Sequence, residues 1–193
     1  MGFVVTHPQG LVLVDTGLVE GRPEMDAKFQ VDRRDLLDYL RERALDRGAV
    51  VAIVNSHLHS DHCGQNRKFP GVPIFTQRAE HELAQQPGYT SRECVEFEGA
   101  EYRLLEGDAE ILPGVHVLAT PGHTPGHQAV SVETADGLVI LAGHAIGSAA
   151  EYADEVEPDE RGTVAQASAQ MLRALRPRRV FFGHDDGRWD ATS

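Results

Sequence analysis

Val50-Val51-Ala52-Ile53-Val54-Asn55-Ser56-His57-Leu58-His59-Ser60-Asp61-His62 is the stretch that decides the fold. Residues 50–54 form a continuous apolar run of strand length. The chain leaves that run almost at once for four metal-capable side chains, at positions 57, 59, 61 and 62. A short loop leaving a buried strand can aim alternate side chains into one cavity, and imidazoles with a carboxylate suit a borderline divalent cation such as zinc. The plainer reading, surface histidines on a loop, leaves their position directly behind core sequence unexplained.

Moving outward, Val115 to Ala119 reads as a strand and runs into Thr120-Pro121-Gly122-His123-Thr124-Pro125-Gly126-His127. Two Pro-Gly units fix a rigid bend there. His123 is placed to complete a three-histidine site with His57 and His59, which would keep one coordination position open, as a catalytic zinc requires. His127 reads as hydrogen-bonded within the loop, with metal ligation as the alternative.

Upstream, Phe3 to Thr6 and Leu11 to Val14 flank His7-Pro8-Gln9-Gly10, so a hairpin leads into Asp15-Thr16-Gly17. The opening is abrupt, and the expectation is one domain over 1–193 that lacks a first N-terminal strand. Gly21 to Gln30 is a polar loop. From Asp32, the spacing of Leu36, Leu37, Leu40 and Leu45 predicts a helix ending at Gly48. Ile74 to Thr76 reads as a strand before a helix over about Arg78 to Gln86. Short strands follow at Tyr102 to Leu105, Ile111-Leu112, Gln128 to Val132 and Leu138 to Ala142. Glu151 to Glu160 is an acidic loop, Val164 to Leu175 an amphipathic helix, and Val180 to Phe182 a last strand ending at Gly183-His184. Two sheets with outer helices is the simplest packing.

Composition removes several function classes. The chain has 193 residues, 41% of them hydrophobic, enough for a continuous core without disulfides. Cys63 and Cys94 form no Cys-x-x-Cys pair and read as reduced thiols. A formal charge of −12 repels a phosphate backbone, so nucleic acid is not expected. No apolar run approaches the roughly 18 to 20 residues that span a bilayer, so no membrane partner is expected and the chain reads as cytoplasmic.

Taken together, His-x-His-x-Asp-His, the Pro-Gly-His loop and a terminal Gly-His resemble the metallo-β-lactamase superfamily from Val12 to Asp185. Val14 to Gly17, Leu105 to Asp108, Leu112 to Val115 and Phe181 to Asp185 look most like N-acyl-homoserine lactonases within it. The resemblance implies an α/β fold, the αββα four-layer sandwich. It also implies His57, His59 and His123 on one metal and Asp61, His62 and His184 on another, with Asp15 supporting the metal loop from behind. On its own residues Asp15 reads equally as an Asx-type turn. Zinc is the expected cofactor, one or two ions per chain, with iron or manganese compatible with the same donors. A lactone or ester is the expected small-molecule partner, and a homodimer is compatible with the family.

One position departs from the family pattern. Where the family has a metal-bridging aspartate, Leu141-Ala142-Gly143-His144-Ala145 presents an imidazole, which binds one metal through one nitrogen but does not reproduce a two-oxygen bridge. His144 is either a ligand or a side chain that swings aside or donates to metal-held water. The lactonases also have a tyrosine three positions on, and here Gly147 stands there, with Tyr152 nearest. Cys63 reads as a small buried thiol behind the loop, and His7, His81 and His116 as structural or surface residues. By resemblance, hydroxide generated at the metal opens the lactone or ester, and Asp61 moves the proton. A glyoxalase II-like thioesterase, a mono-iron sulfur dioxygenase and a non-catalytic metal-binding fold member are the alternatives.

Overall fold

The computed structural model describes residues 2–21, 27, 34–153 and 162–191. Most of the polar loop expected after Gly21, the start of the helix expected at Asp32 and residues 154–160 of the acidic loop lie outside them. The chain forms two compact units, Met1–Phe75 with Leu83–Arg103, and Thr76–Glu82 with Leu104–Ser193.

The first unit is built on a five-stranded sheet of order β1-β2-β3-β4-β5, with β1 Phe3–His7, β2 Gly10–Val14, β3 Val50–Val54, β4 Pro73–Gln77 and β5 Glu101–Leu105. The ends of β4 and β5 run into the second unit. β1 and β2 are the expected hairpin, Phe3 opposite Val14. β2 then runs parallel to β3, with Val14 beside Val54, and β3 parallel to β4, with Val54 beside Phe75. Parallel strands deliver their C-terminal ends to one edge, the usual place for a ligand site in open α/β sheets. The segments leaving β2 and β3, Asp15 and Asn55-Ser56, are therefore neighbours.

Helix α1, Leu36–Glu42, is shorter than its apolar spacing predicts. The Asp35 side chain caps it by accepting from the Leu37 and Asp38 amides, and Ala44, at φ 53°, turns the chain out of the helix. Leu45 still packs on the same core as Leu40, Leu13, Ile53 and Ile74, so the spacing found the buried face but not the helix end. Helix α2, Arg78–Ala84, and the four-residue α3, Arg92–Val95, follow. A second apolar cluster of Val19, Leu58, Cys63, Ala84, Cys94 and Val95 backs the loop after β3.

The second unit carries a six-stranded sheet of order β11-β10-β9-β8-β7-β6. Its strands are β6 Ala109–Leu112, β7 Val115–Ala119, β8 Gln128–Thr134, β9 Gly137–Leu141, β10 Arg179–Phe181 and β11 Arg188–Asp190. β7 and β8 are antiparallel, with Ala119 opposite Gln128, so residues 120–127 form the connection between them. β8 and β9 are antiparallel, β9 and β10 parallel, with Leu141 beside Phe181. The loop 120–127 and the segments leaving β9 and β10 thus share one edge. The four-residue α4, Ala149–Tyr152, and α5, Gly162–Ala174, complete the unit.

Two further expectations need correction. β10 is not the last strand, because β11 pairs antiparallel with it, Val180 opposite Trp189. The pattern Arg-Trp-Asp is too short to read as a strand without its partner. The stretch from Glu151 also begins in α4 rather than in a loop, and Tyr152 lies in the core with Phe182, Ile146 and Leu172.

Lys68 binds both Glu20, at 2.6 Å, and the capping residue Asp35. That ion pair pulls the Asp35 carboxyl below the usual carboxylate range, against a smaller opposing push from burial. Replacing Asp35 with Ala removes the cap and one partner of Lys68. We expect a loss of about 1 kcal/mol, read as a lower midpoint in urea unfolding.

Candidate metal centre

In the first unit the site grows from the β2–β3 register. Asp15 leaves β2 at φ 59°, and its amide donates to the Val54 carbonyl at 2.9 Å. Its buried carboxylate then accepts from the Ser56 amide at 2.7 Å, the Ser56 hydroxyl at 2.8 Å and His62 Nδ1 at 2.7 Å. Because the Ser56 proton goes to Asp15, Ser56 Oγ is left to accept from His57 Nδ1 at 3.1 Å. Both rings are thereby held with protonated Nδ1, which turns the lone-pair position of Nε2 to the other side of the ring.

His57 and His62 are fully buried, with ring centroids 4.1 Å apart, and His59 stands 4.6 Å from His57. Asp61, partly exposed, reaches His62 Nε2 at 3.4 Å. Burial alone would lower the pKa of His62. The Asp15 carboxylate, with Asp61 behind it, outweighs that and pushes the ring up to about 9. A donor set of close-packed imidazoles, one backed by a buried carboxylate, fits a divalent cation such as zinc.

A buried amide network fixes the loop from beneath. Thr16 Oγ1 donates to Asn66 Oδ1 at 2.8 Å, Asn66 Nδ2 to Asn55 Oδ1 at 2.7 Å, and Asn55 Nδ2 to the His62 carbonyl at 3.2 Å. Cys63 is buried, its thiol 3.2 Å from the His59 carbonyl, consistent with a packing role. Contact with Cys94 and burial hold that thiol well above its ordinary pKa, which suits an inert residue. The Tyr89 ring lies 4.8 Å from the ring of His59.

In the second unit, His123, His144 and His184 gather at the shared edge of the sheet. The His144 ring stacks on His123 at 4.2 Å, tilted 20°, and meets the His184 ring at 4.5 Å. His144 is half-buried. His127 is fully buried, with Nδ1 2.8 Å from Thr120 Oγ1, as a loop-bonded histidine should be. Tyr152 packs against Trp189 at 4.6 Å, inside the core, and so does not replace the tyrosine absent at Gly147. His7 accepts from the Gln9 amide, and His116 lies 3.9 Å from both Glu110 and Glu133, so both are surface residues with local partners.

Sequence reasoning missed the supports of the Pro-Gly-His loop. Buried Glu80 of α2 accepts from Thr124 Oγ1 at 2.5 Å, and Ser168 of α5 donates to the Pro121 carbonyl at 2.7 Å. The two loop glycines are contact points. A Cβ on Gly126 would fall 2.3 Å from the Glu80 amide nitrogen, and one on Gly122 would fall 2.5 Å from Ala165 Cβ. The Pro-Gly repeat was legible as a bend, but what the glycines approach was not.

A sequence model described as the metallo-beta-lactamase superfamily matches residues 2–184. The chain belongs to that superfamily. It is 33% identical over 200 residues to an N-acyl homoserine lactonase of Bacillus cereus, covering 95% of this chain and 80% of the relative. A lactonase of Azorhizobium caulinodans is 27% identical over 97% of this chain and 82% of its own length. Among solved structures, an N-acyl homoserine lactone hydrolase with the product N-hexanoyl-L-homoserine bound at its catalytic metal centre is 30% identical. It superposes with a TM-score of 0.82 over 96% of this chain and 80% of its own. The mixed α/β, two-sheet fold of this superfamily member is the class that its motifs imply.

Two outcomes follow. Asp15→Asn exchanges a carboxylate for an amide that cannot accept from Ser56 and His62 as before. Zinc affinity, measured by competition with a chromophoric chelator, should fall about 10- to 100-fold without loss of the fold. Gly126→Ala forces the loop off α2 and should cost about 1–3 kcal/mol in denaturant unfolding.

Proposed function

We propose that this protein is a metal-dependent lactonase that opens the ring of N-acyl-homoserine lactones. The observation that carries this reading is the Asp15-Ser56-His62 network, which presets the tautomers of His57 and His62 for metal binding, in a chain about 30% identical to enzymes of that activity. In this reading His57, His59 and His123 hold one ion, and Asp61, His62 and His184 hold the other. His144 is a further ligand in place of the family's bridging carboxylate. Both units together form one metallo-β-lactamase-like domain. Zinc is the proposed metal, and the cytoplasm the proposed location. Among the described residues, no helix is long and apolar enough to cross a membrane.

The bound cation would act as a Lewis acid and bring the pKa of water down towards about 7. The chain's own groups do the rest. Asp61, partly exposed and 3.4 Å from His62 Nε2, is the proton carrier. Its carboxylate accepts the proton of the attacking water as the new C–O bond forms at the lactone carbonyl carbon. The ring C–O bond then breaks, and the same proton passes to the leaving alkoxide, giving the N-acyl-homoserine. Asp15 and Ser56 keep the His62 and His57 rings from rotating during this transfer.

Elemental analysis of protein purified without added metal should return two zinc ions per chain, and ring opening followed by acid release should be abolished by a chelator and restored by zinc. Asp61→Asn should lower kcat by about 100-fold or more. Normal turnover in that variant would remove Asp61 from the proton path. A single bound iron, with oxygen consumption on a persulfide, would replace the lactonase reading with a dioxygenase.

A further inference from the structure

We infer that His127 is a positioning residue that locks the peptide joining Gly143 to His144 and so aims the imidazole that stands in the carboxylate's place. This rests on His144 being a metal ligand, as proposed above. His127 is fully buried and acts through four atoms, all within the second unit. Its backbone closes the Pro-Gly-His loop: the Thr120 amide donates to its carbonyl at 2.9 Å, and its own amide donates to the Thr124 carbonyl at 3.3 Å. Its ring then reaches across to the end of β9, where Nε2 accepts the His144 amide proton at 2.9 Å.

That last bond fixes the tautomer. A backbone N–H can only donate, so Nε2 is the bare nitrogen and the ring proton sits on Nδ1, 3.1 Å from the Thr120 carbonyl and 2.8 Å from its hydroxyl. Both nitrogens are therefore committed, and His127 is not a metal ligand. The other end of the same peptide unit is held as well, because the Gly143 carbonyl accepts the Gly183 amide at 2.9 Å. Gly143 itself sits at φ 56°, a left-handed conformation that glycine adopts without steric cost. With its oxygen pinned from the β10 side and its N–H pinned by His127, the peptide has one orientation. The Cα of His144 is thereby placed, and its ring stacks on His123 at 4.2 Å. One buried ring thus ties the loop that carries His123 to the strand end that carries His144.

The test compares His127→Asn, His127→Gln and His144→Ala with the parent chain. Asn retains a donor near Nδ1 but nothing that reaches the His144 amide, whereas the Gln side-chain oxygen reaches the position of Nε2. Three quantities are read: hydrogen exchange of the His144 amide in metal-free protein, zinc affinity by chelator competition, and the visible spectrum of the cobalt(II) form. His127→Gln should keep the amide protected and leave zinc affinity and the cobalt spectrum close to those of the parent. His127→Asn should expose the amide, weaken zinc about 10- to 100-fold and change the cobalt bands. Amide exchange unchanged in His127→Asn would overturn the inference. So would parental zinc affinity and cobalt bands in that variant while His144→Ala binds weakly. Unchanged metal binding in His144→Ala removes that residue from the ligand set, a failure of the function proposed above, while the amide exchange still decides the pinning. If His127→Asn does not fold, the Gln variant decides: an unprotected His144 amide there overturns the inference, and a protected one supports it.

Discussion

A buried carboxylate must be satisfied, and at Asp15 that requirement organises the metal loop. Three donors from Ser56 and His62 converge on it, and they can do so only because β2 and β3 are parallel and end level with each other. The cost of removing a carboxylate from water is offset by these bonds, which at the same time fix two ring orientations. Position 15 is therefore a folding constraint and a chemical one together. Its backbone, at φ 59°, is held in a conformation that Asp tolerates better than most residues.

The second unit answers the same need with different chemistry. Among the described residues, the His127 ring bonds to Thr120 and the His144 amide rather than to a carboxylate like Asp15. This neutral ring and the register of β9 with β10 hold the unit's histidine-bearing segments. The loop is further clamped by Glu80 and Ser168, which come from helices on either side of it in the sequence. In both units the precision comes from groups that sit behind the imidazoles, which is where the fine positioning of a metal site is ordinarily set.

Much of this could be read without coordinates. The apolar run 50–54 and the spacing of the following histidines announced the loop, and the Pro-Gly pairs announced the second one. Strand and helix positions came out well wherever period and punctuation agreed, as in β7, β8 and α5. The misses share a cause. α1 ended early because Ala44 turns left-handed, which no side-chain pattern signals, and β11 exists only because β10 is there to pair with it. Ser56, Asn66 and Glu80 are ordinary polar residues in the sequence. Their importance depends on partners 41, 50 and 44 positions away, respectively. Tyr152 was the reverse case, a residue with attractive chemistry that the core had already claimed.

β11 has a meaning beyond completing the sheet. Without it β10 would present a bare row of amides and carbonyls at the sheet margin, an open template for another strand. Instead the outermost strand is three residues long, and Asp190 on it bonds both Arg179 and Arg188. A second chain approaching that margin meets a short ladder and fixed charge rather than a long apolar edge. The segment just after the last histidine therefore also guards the protein against edge-to-edge association.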